Sequence, residues 1–547
     1  MDANAKELIK RGDKLFGKRQ SLDSLWQELA DNFYPERADF TSERTWGDEF
    51  ASHLFDSSPV MMRRDLGNAF SSMLRPRGQS WFELDVDDDA IRKASGVAEW
   101  LESRSDVLSR ALYASTSQFV RATKETDHDF ATFGNGVISC EENERRNGLR
   151  FRNHHLKDCA WVENMDGAVD TLFRNMMMSA RQMKQRWGED KLHRDIKKAG
   201  EKDPDKEFKV RHVMIPVADY EYQTRKRAPK NAEYVSVYVD CGNQHLISEA
   251  PSFEFRYVVP RWQTISGSPY AVSPAAMTAI ADGRMLQSMA RVLLEAGEKT
   301  VDPPMKATEE AVRGEVNLYS GGITWVDQEY DERLGPALEP ILLGKQVGLG
   351  VDMLVRTQMQ LREAWYLTKL NLPQQGARTA FETAQLVEEF IRASIPLFEP
   401  METSYNSPLL DLAARILLRV GAFGPVDDIP DELSRRELTF AFSNPLQDAI
   451  KRNKVMQFQT TIGLVGAAAQ LDPTAAQDID VRESLRDAVE GSGAPAKWLR
   501  KREDADDDAA AASQADGAMQ LLQGAGAAGQ AAEAIGKGGQ AMKELSE

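Results

Sequence analysis

The chain has 547 residues, 42% of them hydrophobic and 28% charged, the balance of an ordinary folded protein with room for three or four units. Its 85 acidic side chains against 68 basic ones leave a formal charge of −17, which excludes a protein that holds DNA by wrapping it in lysine and arginine. Three cysteines, Cys140, Cys159 and Cys241, are too few and too odd in number for a disulfide framework and fit a reducing compartment. Residues 1–16 are a polar, lysine-rich helix pattern without the apolar core of an export signal. The late apolar stretch 461–469 falls short of the roughly 20 residues that cross a bilayer. A protein that is neither exported nor in contact with a membrane is expected.

The first hundred residues read mainly as helix. One helix spans 22–33, with Leu22, Leu25, Trp26, Leu29 and Phe33 on one face. A second spans 58–74, where Ser57 or Ser58 can cap, Pro59 suits the first turn, and Arg75-Pro76-Arg77-Gly78 stops it. Residues 81–86 alternate like a strand, and a longer helical stretch over 97–133 ends at Gly134-Asn135-Gly136. From 137 to 261 the period turns to two. Residues 160–163 and 169–174 form a hairpin about Asp166-Gly167, with further strands at 210–217, 234–240 and 253–260 and a short helix over 179–187.

Two long helices bracketing a compact insert come next. The first spans 273–299, capped by Ser273 with Pro274 behind it, and carries Leu286, Met289, Leu293 and Ala296 as a narrow seam. Asp302-Pro303-Pro304 ends it. The second spans 343–365, where Val347, Val351, Leu354, Gln358, Leu361 and Trp365 keep a heptad step with one polar residue. Each is roughly 35–40 Å long. Between them, 304–340 is turn-rich, with short strands at 315–319 and 323–326. Narrow apolar seams on such a stalk point to neighbours supplied by other subunits. Residues 366–378 break helicity at Pro373 and Gly376, and a helix over 379–398 follows, interrupted at Pro396. Another helix spans 409–420, a strand 437–442, and helices return at 445–469 and 481–490 with a last piece at 495–501. From 502 the chain is acidic and then Ala, Gly and Gln, a tail that is mobile or conditionally helical. The fold class is α+β, mainly helical.

Motifs of catalysis fail on context. A G-x-G-x-x-G at Gly524, Gly526 and Gly529 follows no strand, and no phosphate loop is present, so the chain is not expected to hydrolyse ATP. Cys140, His154, His155 and Cys159 invite a zinc reading, but there is no C-x-x-C and the adjacent histidines point to opposite faces of a strand. The aspartates of 85–89 lack the glycine turn and distal glutamate of a calcium loop. No G-x-S-x-G occurs, and seven histidines form no constellation. No catalytic residue, cofactor or metal is expected, and the chain is not expected to be an enzyme.

Several stretches together resemble the head-to-tail connector, or portal, family of short-tailed bacteriophages. They are Leu54-Phe55-Asp56-Ser57-Ser58 through Leu66, Leu74 and Pro76 to Gly78-Gln79-Ser80-Trp81-Phe82-Glu83-Leu84; Phe133-Gly134-Asn135-Gly136-Val137; and Val259-Pro260-Arg261-Trp262 with Gly267-Ser268-Pro269-Tyr270. The last are Pro445-Leu446 with Ala449 and Asn453, Asp478-Ile479-Asp480, and Pro495 through Trp498-Leu499-Arg500. Each motif is weak alone; their order around a helix–insert–helix stalk carries the resemblance.

The resemblance implies a portal-type fold assembled as a dodecameric ring. An α/β wing would cover 1–272, stem helices 273–299 and 343–365, and a small α/β clip 300–342. A tunnel loop would cover 366–378, returning wing helices 379–444, a helical crown 445–501, and the tail 502–547, which has no counterpart. It implies a conduit for packaging and ejection of double-stranded DNA without sequence specificity. Its partners would be copies of itself, tail adaptor proteins, the terminase packaging motor, and the major capsid and scaffolding proteins. It would sit at the portal vertex of the virion, and in the host cytoplasm during assembly. A like-charged wall lets DNA slide, and Lys369, Asn371, Gln374, Gln375 and Arg378 on the loop are the candidates for weak phosphate contact. The stem seams would be Leu286, Met289, Leu293, Val347, Val351, Leu354 and Leu361. The competing readings are another neck or tail adaptor ring component, or a DNA-processing enzyme.

Overall fold

The computed structural model describes residues 3–43, 45, 47, 51–77, 80–88, 91, 96–143, 148–228, 232–307, 312, 316, 325–327, 333, 336, 338–341, 347–370, 399–425, 428–430, 433, 438–442, 458, 461–465, 484–485 and 488–489. Helices α1 (Ala3–Lys18), α2 (Gln20–Phe33) and α3 (Ser58–Leu74) come first, with Pro59 in the first turn of α3. Strand β1 (Phe82–Asp85) precedes α4 (Val97–Leu112) and α5 (Phe119–Phe133). The expected single helical stretch over 97–133 is therefore two helices. Ser117 Oγ donates to Ala114 O (2.8 Å) and accepts from Phe119 N (3.2 Å), and Gln118 is left-handed at φ 56°. A side chain that bonds its own backbone competes with the helix and turns the chain.

The middle of the chain is a meander. Strands β2 (Ile138–Glu142) and β3 (Leu149–Asn153) form a hairpin, and β4 (Cys159–Glu163) and β5 (Val169–Ser179) another, turning at Gly167 with φ 79°. Helix α6 (Ala180–Trp187) opens on a capping box between Ser179 and Gln182, and α7 (Arg194–Lys202) follows. Then come β6 (Glu207–Pro216), α8 (Val217–Thr224), β7 (Tyr234–Asp240) and β8 (His245–Ser252). The order β4-β5-β6-β7-β8 is antiparallel throughout. Both faces are covered. Ala5, Leu8, Phe173, Val213, Val237 and Tyr220 pack on one, and Met183, Ile196, Val210, Tyr238 and Ile247 on the other. The strand expected over 253–260 shrinks to β9 (Tyr257–Val258), because β9 pairs with β2 while β8 takes the edge beside β7.

After the short pair β10 (Gln263–Thr264) and β11 (Ala271–Val272) the chain enters α9 (Pro274–Val301). Strands β12 (Met305–Ala307) and β13 (Leu338–Pro340) pair antiparallel, closing the base of the insert. Of the strands expected at 315–319 and 323–326 only residues 316, 325 and 326 are described; a bridge joins Val312 and Val326. Helices α10 (Val347–Ala364), α11 (Leu367–Leu370) and α12 (Ser407–Arg419) follow, then β14 (Thr439–Phe442). The helix expected over 379–398, the piece over 495–501 and the tail lie outside the described residues, as do most of 445–469 and all of 481–490 but residues 484–485 and 488–489.

The chain divides into two compact units, one of residues 1–82, 106–424 and 442–445, the other of 83–105, 425–441 and 446–547. The second has its own small core of Leu84, Val86, Val97, Trp100, Leu101 and Leu433. There Ser105 Oγ accepts from Leu84 N (2.8 Å) and donates to Leu101 O (2.7 Å).

Candidate functional site

The first unit is organised around the paired long helices α9 and α10. The start of α9 is held in a socket. Ser273 Oγ accepts from Ala276 N (3.2 Å) as an N-cap and donates to Ala131 O (2.6 Å). Asn135 brackets Ala271, donating from Nδ2 to its carbonyl (2.7 Å) and accepting its N–H on Oδ1 (2.9 Å). Gly134 has φ 71°, and a Cβ there would lie 2.1 Å from the carbonyl carbon of Val272. Only glycine tolerates both the left-handed turn and that backbone approach. Phe133-Gly134-Asn135-Gly136, which reads in sequence as a helix end, is the seat of the long helix.

Within one chain α9 and α10 pack on each other, and α9 also on α2 and α10 on α3. Leu286 and Leu361 are fully buried, and a Cβ on Gly350 would come within 2.6 Å of Leu293 Cδ2. Trp365 is buried with its ring edge-on to Phe33 at 5.0 Å, and Gly283 of α9 lies over the same Phe33 ring. Leu286 and Leu361 are covered by the chain's own helices, and Leu293 is half-buried. Met289 and Leu354 are half-buried, Val351 is exposed, and Val347 starts α10. The polar seam residue Gln358 donates to Asp56 Oδ2 (2.8 Å) and Ser58 Oγ (3.2 Å). Its counterpart on α9, which the sequence did not single out, is Gln287. Gln287 accepts from the N–H groups of Phe55 (2.7 Å) and Asp56 (3.0 Å) and donates to Asp56 O (2.8 Å). The segment 55–58 thus fastens both long helices.

Outside that inner face α10 remains apolar. Leu349 (58% exposed) and Met353 (50%) stand on one side, Val351 (47%), Val355 (41%) and Met359 (66%) on the other. At about 100° per residue, these stripes begin roughly 90° to either side of the face that carries Gly350, Leu354, Thr357 and Leu361. On α9, Met285 and Val292, seven residues apart, are exposed as well. A heptad reading takes Val351 into its single seam and passes over the rest of these stripes.

The end of α10 turns at Tyr366, left-handed at φ 58°. The segment expected to break helicity begins with the single turn α11, where Lys369 is exposed with Nζ 5.6 Å from the Tyr366 ring centre. Asn371, Gln374, Gln375 and Arg378 lie outside the described residues. The residues that invited a zinc reading have other occupations. Cys140 and Cys159 are buried on β2 and β4, and burial pushes the Cys159 thiol up to about 12. His154 Nε2 lies 2.9 Å from Ser139 Oγ, and His155 Nε2 lies 2.7 Å from Asp39 Oδ1. Among the described residues no three His, Cys, Asp or Glu side chains converge as for a metal ion, and no helix is long and apolar enough to cross a membrane.

Two curated relatives share this chain's length. The portal protein of Salmonella phage epsilon15 is 23% identical over 500 residues, 90% of this chain and 88% of its own. The probable portal protein of Bordetella phage BPP-1 is 24% identical over 496 residues, covering 87% of this chain and 85% of its own. Among solved structures, a chain in the virion of a native gene transfer agent particle overlaps 77% of this chain and 91% of its own length, at 10% identity and a TM-score of 0.33. The family model for bacteriophage head to tail connecting proteins matches residues 5–499. With nearly the whole chain matched in order, this protein belongs to the bacteriophage head to tail connecting protein family.

Proposed function

We propose that this chain is the portal subunit of a phage head, assembling as a dodecameric ring that conducts double-stranded DNA during packaging and ejection. Helices α9 and α10 are its stem, 300–342 the clip that meets the tail adaptor proteins and the terminase motor, and 1–272 with 379–444 the wing. Residues 445–501 are the crown, and the ring sits at the portal vertex against the major capsid and scaffolding proteins, having assembled in the host cytoplasm. Lys369, with Asn371, Gln374, Gln375 and Arg378, belongs to the tunnel loop. The work is structural, without catalysis.

The observation that carries this reading is the pair of apolar stripes flanking the inner face of α10. A closed ring needs heterologous contacts, in which each subunit offers two different patches to two neighbours. A helix with its inner face filled in its own chain and exposed apolar side chains on both flanks meets that requirement. Apolar stripes of this kind on an isolated chain lose free energy to water unless a partner covers them. Electron microscopy of the purified protein tests the proposal: rings with an axial hole are expected, and single particles at high concentration refute it.

A further inference from the structure

A groove of about 1010 Å³ opens between β3, β5 and α6, and its inner cleft is lined by Ser139, Glu141, His154 and four arginines. Arg150 and Arg152 come from β3, Arg174 from β5 and Arg186 from α6. Arg150 has a carboxylate nearby, Glu141 at 3.7 Å, and the neighbouring Glu142 is taken by Arg419 at 2.6 Å. Arg152, Arg174 and Arg186 have no carboxylate partner among the described residues. Arg186 Nη2 donates to Tyr238 Oη (2.8 Å). Arg174 Nη1 lies 2.7 and 2.9 Å from the two ring nitrogens of His154, while its Nε is buried without a hydrogen-bond partner.

Arg152 and Arg186 are exposed and Arg150 and Arg174 half-buried, so four guanidinium groups share one groove with part of their charge in water. Burial and the neighbouring charges of Arg150, Arg174 and Arg186 lower the pKa of Arg152, and burial with Arg174 and Arg152 keeps His154 neutral. A buried donor without an acceptor, here Arg174 Nε, is destabilising. An anion in the groove would neutralise the guanidinium groups that line it. Guanidinium forks on three separate walls suit a tetrahedral oxyanion, whose oxygens accept from several directions, better than a carboxylate with two oxygens in one plane.

We propose that this groove is a binding site for a phosphate-type oxyanion, carried by a small free anion. The site lies within one chain and does not depend on ring formation.

The test is calorimetric titration of the full chain with sodium pyrophosphate, inorganic phosphate and ATP, against sodium chloride at matched ionic strength. Saturable pyrophosphate binding is expected, weakened tenfold or more in Arg152→Gln. Arg186→Gln serves as a second variant, and both should keep the far-UV spectrum and unfolding temperature of the wild type. A 20-base-pair duplex in competition distinguishes the source. Failure to displace pyrophosphate upholds a free anion, and displacement assigns the phosphate to nucleic acid and overturns the free-anion part. No saturable binding above the chloride control, unchanged affinity in both variants, or tighter binding of a hexa-aspartate peptide than of pyrophosphate overturns the site.

Discussion

If the flanks of α10 are the two sides of a ring contact, substituting one flank should dissolve the ring and leave the subunit folded. Val351, Val355 and Met359 make one flank, exposed by 47%, 41% and 66% in the isolated chain. Full burial of a Val or Met side chain is worth about 1.5–3 kcal/mol, so covering the exposed half of each contributes about 1 kcal/mol. Three such residues contribute about 3 kcal/mol to each contact, a factor of about 100 in its dissociation constant. In Val351→Asp/Val355→Asp/Met359→Asp that gain disappears and three carboxylates must be stripped of water if the contact forms, a further cost of several kcal/mol. Every subunit uses the flank once, so the loss recurs at every contact of the ring.

Mass photometry across a concentration series reads the outcome, with far-UV circular dichroism as the check on folding. Folded single subunits are expected. Leu349→Asp/Met353→Asp, on the opposite flank, should behave alike. Mixing the two variants then restores one intact contact per pair and should give heterodimers but no rings. Rings of wild-type mass from the triple variant refute the assignment of the flank. Leu354→Asp is a blunter probe, because Leu354 is half-buried in the chain itself and its loss perturbs the subunit too.

Gly134→Ala puts a Cβ 2.1 Å from the Val272 backbone at φ 71°, and should destabilise the subunit by more than about 2 kcal/mol in urea unfolding; a loss below about 0.5 kcal/mol contradicts the socket. His128 is buried, and burial followed by the charge of Arg63 lowers its pKa to about 4. The unfolded chain takes up that proton near pH 6.5 and the folded one near 4, so stability is full above 6.5 and falls by about 3 kcal/mol as pH drops to 4. His128→Asn, measured by thermal unfolding across this range, should flatten that part of the slope, and an unchanged slope removes His128 from the account. Lys369→Ala with Arg378→Ala should leave rings intact while altering DNA packaging or retention; packaging assays indistinguishable from wild type take both residues out of the mechanism.

Local signals carried much of the fold. α3 coincides with the expected 58–74, since a Ser-Pro start and an Arg-Pro stop act within a few residues. β7 coincides with 234–240 for the same reason of strong β-branched content. Helix α7 did not stand out, because Ile196 is its single buried residue and the rest of the helix is almost wholly polar. β8 was missed because its residues are mostly half-buried at the sheet edge. Of the candidate site, the long helices and their inner residues were legible, and the partners of those residues were not. Gln287 meets a segment some 230 positions away, with sequence separations of 231 and 232 for its bonds to Asp56 and Phe55. The arginines of the groove likewise come from two separate sheets and a helix, β3, β5 and α6.

The two glutamines bear on how a ring could close at a fixed angle. A purely apolar contact between two rods tolerates sliding, since one methyl group replaces another at little cost. Gln287 and Gln358 remove that freedom. Moving either helix by one turn breaks part-buried hydrogen bonds to the N–H groups of Phe55 and Asp56, the Asp56 carbonyl and carboxylate, and the Ser58 hydroxyl, each worth about 0.5–1.5 kcal/mol. A single polar residue in an apolar seam specifies register in this way in coiled coils. In a ring whose contacts lie on the flanks of α10, an error in the direction of that helix repeats at each subunit and accumulates around the circle. Rigid fastening at 55–58 is what such a closure requires, and Gln358→Leu, which keeps the seam apolar and releases the fastening, should broaden the distribution of subunit numbers seen by native mass spectrometry. A distribution as narrow as the wild type's would mean that packing alone fixes the angle.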